Sequence, residues 1–253
     1  MIGYVAGDSP LHRAHPYTPI AWAGALLLVA FAVSTPAAIG AVVLAAVATA
    51  IVGRVVPSVM RPALLLALPT WGLLLVLHGV LGPDPRIALG TLSLSQPGLT
   101  RALVLGGRIT AILFAFLTVL ATISPPRLVE AMTARGVPFG RIYLLVSTLT
   151  LVPRMRARAA LILEAQQCRG LRLGGSPLAR LRALGPLVLP LVLGALAEVD
   201  EQVLALDARG VTSGARRTPL APPPDRAGER ALRWVLGLLV VAAYAAKFAG
   251  HGL

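Results

Sequence analysis

Residues 14 to 53 read AHPYTPIAWAGALLLVAFAVSTPAAIGAVVLAAVATAIVG, forty residues with no Asp, Glu, Lys or Arg among them. A bilayer's hydrocarbon core is crossed by about 20 apolar residues in a helix, so this stretch is too long for one span and long enough for two. Ser34-Thr35-Pro36 sits at its middle. Pro36 has no amide hydrogen to give a preceding turn, so the helix must break there. The segment therefore reads as a helical hairpin, with spans of roughly Ala14–Val33 and Ala37–Gly53. A signal peptide is the rival reading of the first span. It fits poorly, because the apolar run leads straight into a second one with no small-residue cleavage site between them.

The rest of the composition agrees. Hydrophobic residues make up 57% of the 253-residue chain, charged residues 13%, and the mean hydropathy is +0.80. Soluble domains carry about 25% charged residues, so a water-soluble globule and a disordered chain are both excluded. Of the 23 basic residues only Lys247 is lysine, and Phe248 follows it. A Walker-type phosphate loop needs Gly-Lys-Ser/Thr, so the chain binds no ATP through such a motif of its own. A single cysteine, Cys168, excludes an internal disulfide and a cysteine-rich zinc site. The net charge of +13 is not by itself a nucleic-acid signature, and no nucleic-acid partner is expected. What matters is where the arginines fall.

Three further apolar runs are long enough to span: Pro62–Pro83, with a kink expected at Pro69; about Leu103–Ser124, which contains Arg108; and about Ala231–Gly250, where Arg233 and Lys247 can snorkel to the interfaces. Ile142–Pro153 and Ala183–Ala197 are apolar but short. Hydropathy thus allows five spans or seven. The segment from Ser124 to Arg233 carries 16 arginines. Seven spans would put its Arg154–Arg182 cluster outside, against the positive-inside rule, so five are preferred, with the N-terminus cytoplasmic and the chain in the plasma membrane. The expected organisation is an N-terminal membrane region at 1–124, cytoplasmic coupling helices at 125–211, a linker at 212–230 that includes the stiff Ala221–Pro224 run, and a last transmembrane helix at 231–253.

The cytoplasmic region is not loop-like. A short amphipathic helix is expected over Arg127–Val137, a long one from about Arg141 to Arg169, a turn at Gly174–Pro177, and a second long one from about Leu178 to Arg209. At 1.5 Å per residue the long helices would measure roughly 43 and 48 Å. Each begins apolar and ends polar. Their ends match: Gln166-Gln167-Cys168-Arg169-Gly170 closes one and Leu206-Asp207-Ala208-Arg209-Gly210 the other, with the arginines 40 residues apart. Ala134-Arg135-Gly136 is a third copy. A single Arg-Gly reads as a helix C-cap, the cation on the macrodipole and the glycine in the left-handed turn. Two copies on two long helices also present two rigid, always-charged forks to the carboxylates of a partner protein.

These residues resemble the transmembrane T component of energy-coupling-factor transporters, the family of the CbiQ-type cobalt-transport subunits. Ala121-Thr122-Ile123-Ser124-Pro125, with Leu128 to Ala131, resembles the family's Thr-x-Ser-Pro entry to a first coupling helix. Val152-Pro153 followed by Glu164 to Gly170 is similar to its long helix ending in Ala-Gln-x-Ala-Arg-Gly, with Cys168 where alanine is usual. Leu206 to Val211 is similar to its second Ala-Arg-Gly, and the final span after a basic linker also matches. The likeness covers about residues 100–250 in motif and the rest in span pattern. It implies an all-α integral membrane protein with about five transmembrane helices, plus a coupling region of two long helices and one short amphipathic helix. It implies no catalytic residue, metal or cofactor. The implied partners are two ABC-type ATPase subunits, a substrate-binding membrane S component and the bilayer, for uptake of a vitamin or transition-metal ion. Carried over, Arg169 and Arg209 are the ATPase-docking residues, flanked by Cys168, Gly170, Ala208 and Gly210 and supported by Gln166, Asp207 and Pro153. The apolar halves Ile142–Pro153 and Ala183–Ala197 are implied to face the S component, with Pro186 and Pro190 allowing a bend. Arg135 corresponds to no docking motif and reads as a cap.

Other charged or polar residues read structurally. Arg108, with Arg101 seven positions earlier, is expected to be placed for packing, the alternative being contact with a partner or lipid headgroups. His12 and His15 are expected in a solvated N-terminal tail, and His78 to hydrogen-bond a neighbouring helix. Glu198, Asp200, Glu201 and Asp207 are expected to pair with the arginines of Arg154–Arg158 and Arg180–Arg182. An intramembrane enzyme and a stand-alone secondary transporter are the rival functions. The first lacks clustered aspartates or a Gly-x-Ser-x-Gly within spans, and the second lacks span repeats.

Overall fold

The computed structural model describes residues 4–83, 85–89, 92–171, 185–211 and 223–250. The chain forms two compact units, Met1–Ala131 with Ala221–Leu253, and Met132–Leu220. In the first, α1 (Pro10–Arg13) leads into α2 (Tyr17–Ala32), α3 (Pro36–Val52) and α4 (Val56–Leu74). A π-helical turn, Leu75–Val80, extends α4. Two strands, β1 (Arg86–Leu89) and β2 (Leu92–Ser95), pair antiparallel with Arg86 opposite Ser95 and Leu89 opposite Leu92. Then come α5 (Gln96–Thr122) and α6 (Pro125–Ala134), the latter crossing into the second unit. That unit holds α7 (Phe139–Cys168) and α8 (Gly185–Ala208), and α9 (Ala227–Phe248) closes the first.

The expected helical membrane protein is what the chain builds. Val56–Val80, Gln96–Thr122 and Ala227–Phe248 are long and apolar enough to cross a bilayer, while Tyr17–Ala32 and Pro36–Val52 are apolar but shorter. Pro36 stands in the first turn of α3, where its missing amide hydrogen costs nothing. The third apolar run is helical from Val56, six residues before the expected start, and α5 begins at Gln96 because the Ser95 hydroxyl accepts from the Gly98 amide at 3.0 Å. The short amphipathic helix starts at the Pro125-Pro126 pair and ends at Ala134, three residues before the expected Val137. Gly174–Pro177, Leu178 to Leu184 and Arg180–Arg182 lie outside the described residues, as does much of the expected linker.

α5 is the centre of the first unit. Its buried face is largely small: Ala102, Gly106, Gly107, Ala111, Ala115, Thr118 and Ala121, with Phe114 among them. Small residues let helix backbones approach where no water drives them together. A Cβ on Gly106 would fall 2.7 Å from the Trp71 ring, so the indole of α4 lies flat where a side chain would otherwise be. Trp71 Nε1 donates to Thr110 on α5 at 3.0 Å, and Trp22 Nε1 on α2 donates to Thr49 on α3 at 2.8 Å. His78 departs from expectation: its Nδ1 is buried with no hydrogen-bond partner among the described residues.

Arg108, midway along α5, spends its charge on the end of α2. Its Nε donates to the Ala30 carbonyl at 2.8 Å and its Nη2 to the Val33 carbonyl at 3.0 Å, with the guanidinium 4.9 Å from the Phe31 ring centre. The last carbonyls of a helix have no partner within it, and a cation there also favours the macrodipole. Arg108→Ala removes both bonds. Charge-assisted bonds contribute about 1.5–3 kcal/mol each, so the purified protein is expected to melt several degrees lower. A melting temperature equal to that of the unaltered chain would show that the α2 end needs no such cap.

α9 lies alongside α2 with the same chain direction. Near their starts, Glu229 accepts from the His15 amide at 2.7 Å and the Thr18 hydroxyl at 2.9 Å, while Arg233 donates to Thr18 at 2.9 Å and to both oxygens of Asp225 at 2.7 and 2.9 Å. Near their ends, Lys247 Nζ donates to the Phe31 carbonyl at 2.9 Å. If both α2 and α9 cross the bilayer, their parallel packing goes with an odd number of crossings, which five and seven spans satisfy alike. The N-terminal segment is not a solvated tail. His12 and His15 are buried: His12 Nε2 is 2.9 Å from the Val5 carbonyl and Nδ1 is 2.7 Å from Ser9 Oγ, and the Val5 amide donates to Ala121 at the end of α5. Burial tethers these rings where sequence alone shows only polar residues near a chain end.

The Asp225–Arg233 pair makes this clamp sensitive to acid. Burial pushes the Asp225 carboxyl up, but the Arg233 hydrogen bond and charge, helped by His15 and Arg230, outweigh it and hold the group below its ordinary 3.8. A depressed carboxyl stabilises the fold fully above that ordinary value, and the contribution disappears as pH falls through the lowered one. Melting temperature is therefore expected to fall below about pH 3.8, with Asp225→Asn removing part of that slope. An identical slope in the variant would exclude Asp225 as its source.

Candidate functional site: two arginine-capped helix ends

Each Arg-Gly sequence closes its helix with a glycine at positive φ. At the end of α7, Arg169 is the last residue before Gly170, which takes φ +93°. The Gly170 amide donates to the Gln167 carbonyl at 2.9 Å and the Leu171 amide to Gln166 at 3.0 Å, the paired bonds of a Schellman motif. At the end of α8, Gly210 takes φ +68° and its amide donates to Asp207 at 2.9 Å. Gly136, at φ +73°, repeats the α7 pattern, with bonds from Gly136 to Thr133 and from Val137 to Met132. Glycine is required at each because a side chain is strained at positive φ. Cap geometry therefore accounts for all three copies and distinguishes none. Placement distinguishes them: α6 has 10 residues, α7 has 30 and the described α8 has 24.

Cys168, Arg169, Gly170, Asp207, Ala208, Arg209 and Gly210 are all exposed, Gln166 half so, and Pro153 is exposed inside α7. Among the described residues no carboxylate pairs with the side chain of Arg169 or Arg209. The guanidiniums are thus held at rigid, water-facing ends.

How α7 and α8 cross was not legible in the sequence. Arg154 pairs with Glu198 at 2.5 Å, and Arg158 donates to the Gly194 carbonyl at 2.9 Å and lies 3.3 Å from Glu198. Gln202 donates to Glu198 at 3.0 Å and accepts from the Tyr143 hydroxyl at 2.8 Å. Partners rise along α8 as they fall along α7, so the helices run in opposed directions. Residues 40 apart also exchange roles: Arg154 meets Glu198, Gly194 meets Arg158, and Arg158 meets Glu198 itself. The crossing is a local two-fold. Arg169 lies eleven residues beyond Arg158 and Arg209 eleven beyond Glu198, each about 16 Å by helical rise, on opposite sides of the crossing. Of the four acidic residues on α8, Glu198 makes the expected pairing with Arg154 and Arg158.

Among the described residues of this unit the apolar side chains are largely exposed. α8 has no buried residue and α7 only Ile142. Leu144, Leu161, Leu189 and Leu204 are each more than 60% exposed, far more than an isolated soluble pair of helices tolerates. Beside the crossing, Tyr143, Val146, Ser147, Leu149, Thr150, Pro153 and Arg154 line an open groove of about 570 Å³. No group of His, Cys, Asp or Glu suited to a metal occurs among the described residues.

Comparison with known proteins gives the following. Residues 7–220 match the family model CbiQ, described as cobalt transport protein. An energy-coupling factor transporter transmembrane protein EcfT of Thermanaerovibrio acidaminovorans is 30% identical over 92% of this chain and 87% of its own length. Its namesake in Listeria innocua is 29% identical over 91% of this chain and 88% of its own. A putative ABC transporter ATP-binding protein of Bifidobacterium longum is 31% identical over 83% of this chain, which spans only 28% of that longer protein.

Proposed function

Since the chain belongs to the CbiQ family of cobalt transport proteins and is a transmembrane component of the energy-coupling-factor type, we propose that it is the coupling subunit between two ABC-type ATPases and a substrate-binding membrane S component. The observation that carries this reading is the crossed pair α7 and α8. Two long helices related by a local two-fold each end in an exposed Arg-Gly cap, and their described apolar side chains are largely exposed. One cap then serves each ATPase, with Arg169 and Arg209 as the docking arginines, Cys168, Gly170, Ala208 and Gly210 shaping their presentation, and Gln166 and Asp207 supplying the carbonyls that close the turns. The groove at Tyr143–Arg154, with Pro153 in its wall, faces the S component.

Closure of the ATPases around ATP moves the two caps relative to each other. Because the helices are tied at Arg158 and Glu198, the motion reaches the apolar halves on the other side of the crossing and shifts the S component they cover. ATP hydrolysis belongs to the partners. The similarity to part of a protein named for ATP binding supports a working association with ATPases. The substrate is a vitamin or transition-metal ion, the family's description favouring cobalt. The N-terminus lies in the cytoplasm, supported by the arginine-rich segment between α5 and α9 and by the parallel packing of α2 and α9. Affinity purification of the tagged chain from its own cells is expected to bring down two ATPases and one small membrane protein. Solute uptake by the chain alone in liposomes would overturn the reading.

A further inference from the structure

The α2–α3 turn carries cations where the membrane is thick and the helices are short. α2 has 16 residues and α3 has 17, about 24 and 26 Å by helical rise, against a hydrocarbon core of about 30 Å. α5 has 27 residues and ends beside the start of α2, where Arg127 donates to the Arg13 and Ala14 carbonyls at 3.2 and 3.3 Å. Arg108 is fourteen residues before Thr122, so it stands about 21 Å from that face, several ångströms short of the opposite hydrocarbon boundary. There it meets the end of α2, and Lys247 reaches the same place through the Phe31 carbonyl. Lys247 is exposed and Arg108 half-buried, with Phe31 between them 45% exposed. Arg101, seven residues earlier on the same face of α5, is exposed and paired with nothing among the described residues. The described carboxylates of this unit, Asp8, Glu130, Asp225 and Glu229, all belong to the opposite face.

Carbonyls take one proton of Lys247 and two of Arg108, which leaves further N–H donors open and both positive charges without a counter-ion among the described residues. Charge at this depth is tolerated only if the polar layer comes down to meet it, and a bilayer adapts to a short helix by thinning there. We propose that Arg108 and Lys247, with Arg101 as the approach, form a binding site for the phosphate of a phospholipid headgroup, drawn inward over the α2–α3 turn in the leaflet opposite the N-terminal face. The leaflet is thinned locally around the first and last spans, α2 and α9, which meet at this point. The site stands on the first unit alone and does not depend on the ATPase or S-component partners.

The test uses the full chain in nanodiscs holding equal amounts of phosphatidylglycerol and a neutral galactolipid with matched acyl chains. On ejection into a mass spectrometer, the unaltered chain is expected to retain the phospholipid in preference to the galactolipid. Lys247→Gln and Arg101→Gln are each expected to lower that retention about fivefold, as loss of one cation near a membrane surface does, while Lys247→Arg keeps it. Equal retention of both lipids, or no effect of Lys247→Gln, overturns the proposal. Displacement of the retained species by inorganic phosphate would assign the site to the free anion and overturn its lipid identity. A second measurement is independent of those variants. Ser34→Cys in a Cys168→Ser background is expected to react with a membrane-impermeant maleimide as fast as an aqueous position, and protection there would show that no headgroup layer descends to the turn.

Discussion

Arg169→Ala and Arg209→Ala are each expected to remove most ATPase from the purified complex, while Arg135→Ala leaves it in place. All three arginines precede a glycine at positive φ whose amide bonds the carbonyl three residues back, so the helix dipole and the glycine turn do not tell them apart. Only Arg169 and Arg209 close the crossed helices, eleven residues from the Arg158–Glu198 contact. A guanidinium docked in a desolvated pocket leaves a partner carboxylate stranded when it is cut back. That typically costs 2–5 kcal/mol or so, roughly thirty-fold to several-thousand-fold in affinity. The double variant is expected to abolish both association and uptake. Gly170→Ala and Gly210→Ala test presentation separately. At φ +93° and +68° an alanine is strained by about 1–2 kcal/mol, so the cap opens and the arginine loses its aim without losing its charge. Their effect should be smaller than that of the arginine variants. Wild-type yield of ATPases and normal uptake in both single arginine variants would refute docking through these ends. Loss in Arg135→Ala as well would mean that a cap, and not its place, is what the partner reads.

The membrane half of the fold was legible because bilayer physics acts on composition. Ala14–Gly53 must form two helices whatever its neighbours are, and Pro36 and the Ser95–Pro97 start mark helix entries through chemistry local to each residue. The strand pair β1–β2 has a sequence signal as well: apolar residues at Ile87 and Leu89, then at Leu92 and Leu94, recur with the period of a strand. His12 and His15 were not legible as buried, since their burial depends on the end of α5 returning to the N-terminus about a hundred residues later. Arg108 is similar. Its spacing placed it on a helix, but only the meeting of α5 with the α2 terminus supplies the carbonyls that neutralise its cost. The caps were legible to the residue, because Arg-Gly at a helix end is local. The opposed crossing that sets them apart is not, for it rests on side chains 36 to 59 residues distant.

The crossing itself is expected to matter more for transport than for stability. Glu198 receives Arg154, Arg158 and Gln202, and its side chain is 28% exposed, those of Arg154 and Arg158 about 40%. Ion pairs this accessible stabilise a fold by at most about 1 kcal/mol each, so Glu198→Gln should fold, enter the membrane and still hold its ATPases. What it removes is the tie that makes α7 and α8 move as one. A coupling loss of about 1.4 kcal/mol is tenfold, and uptake is expected to fall by at least that much while ATP hydrolysis by the assembled complex continues. Gly194→Ala reaches the same point differently. Its Cβ would lie 2.6 Å from Cζ of Arg158, the mobile end of a long side chain, so the guanidinium swings away from the Gly194 carbonyl without disturbing the helices. Both variants should therefore show hydrolysis without uptake, whereas the arginine cap variants lose most of the ATPase. Exchange of charge, Arg158→Glu with Glu198→Arg, is expected to restore part of the uptake, since the two residues face each other across the local two-fold. Full transport by Glu198→Gln and Gly194→Ala would show that the helices transmit force without being pinned. Loss of ATPase from either one would mean that the crossing holds the docking ends in place and does not carry motion between them.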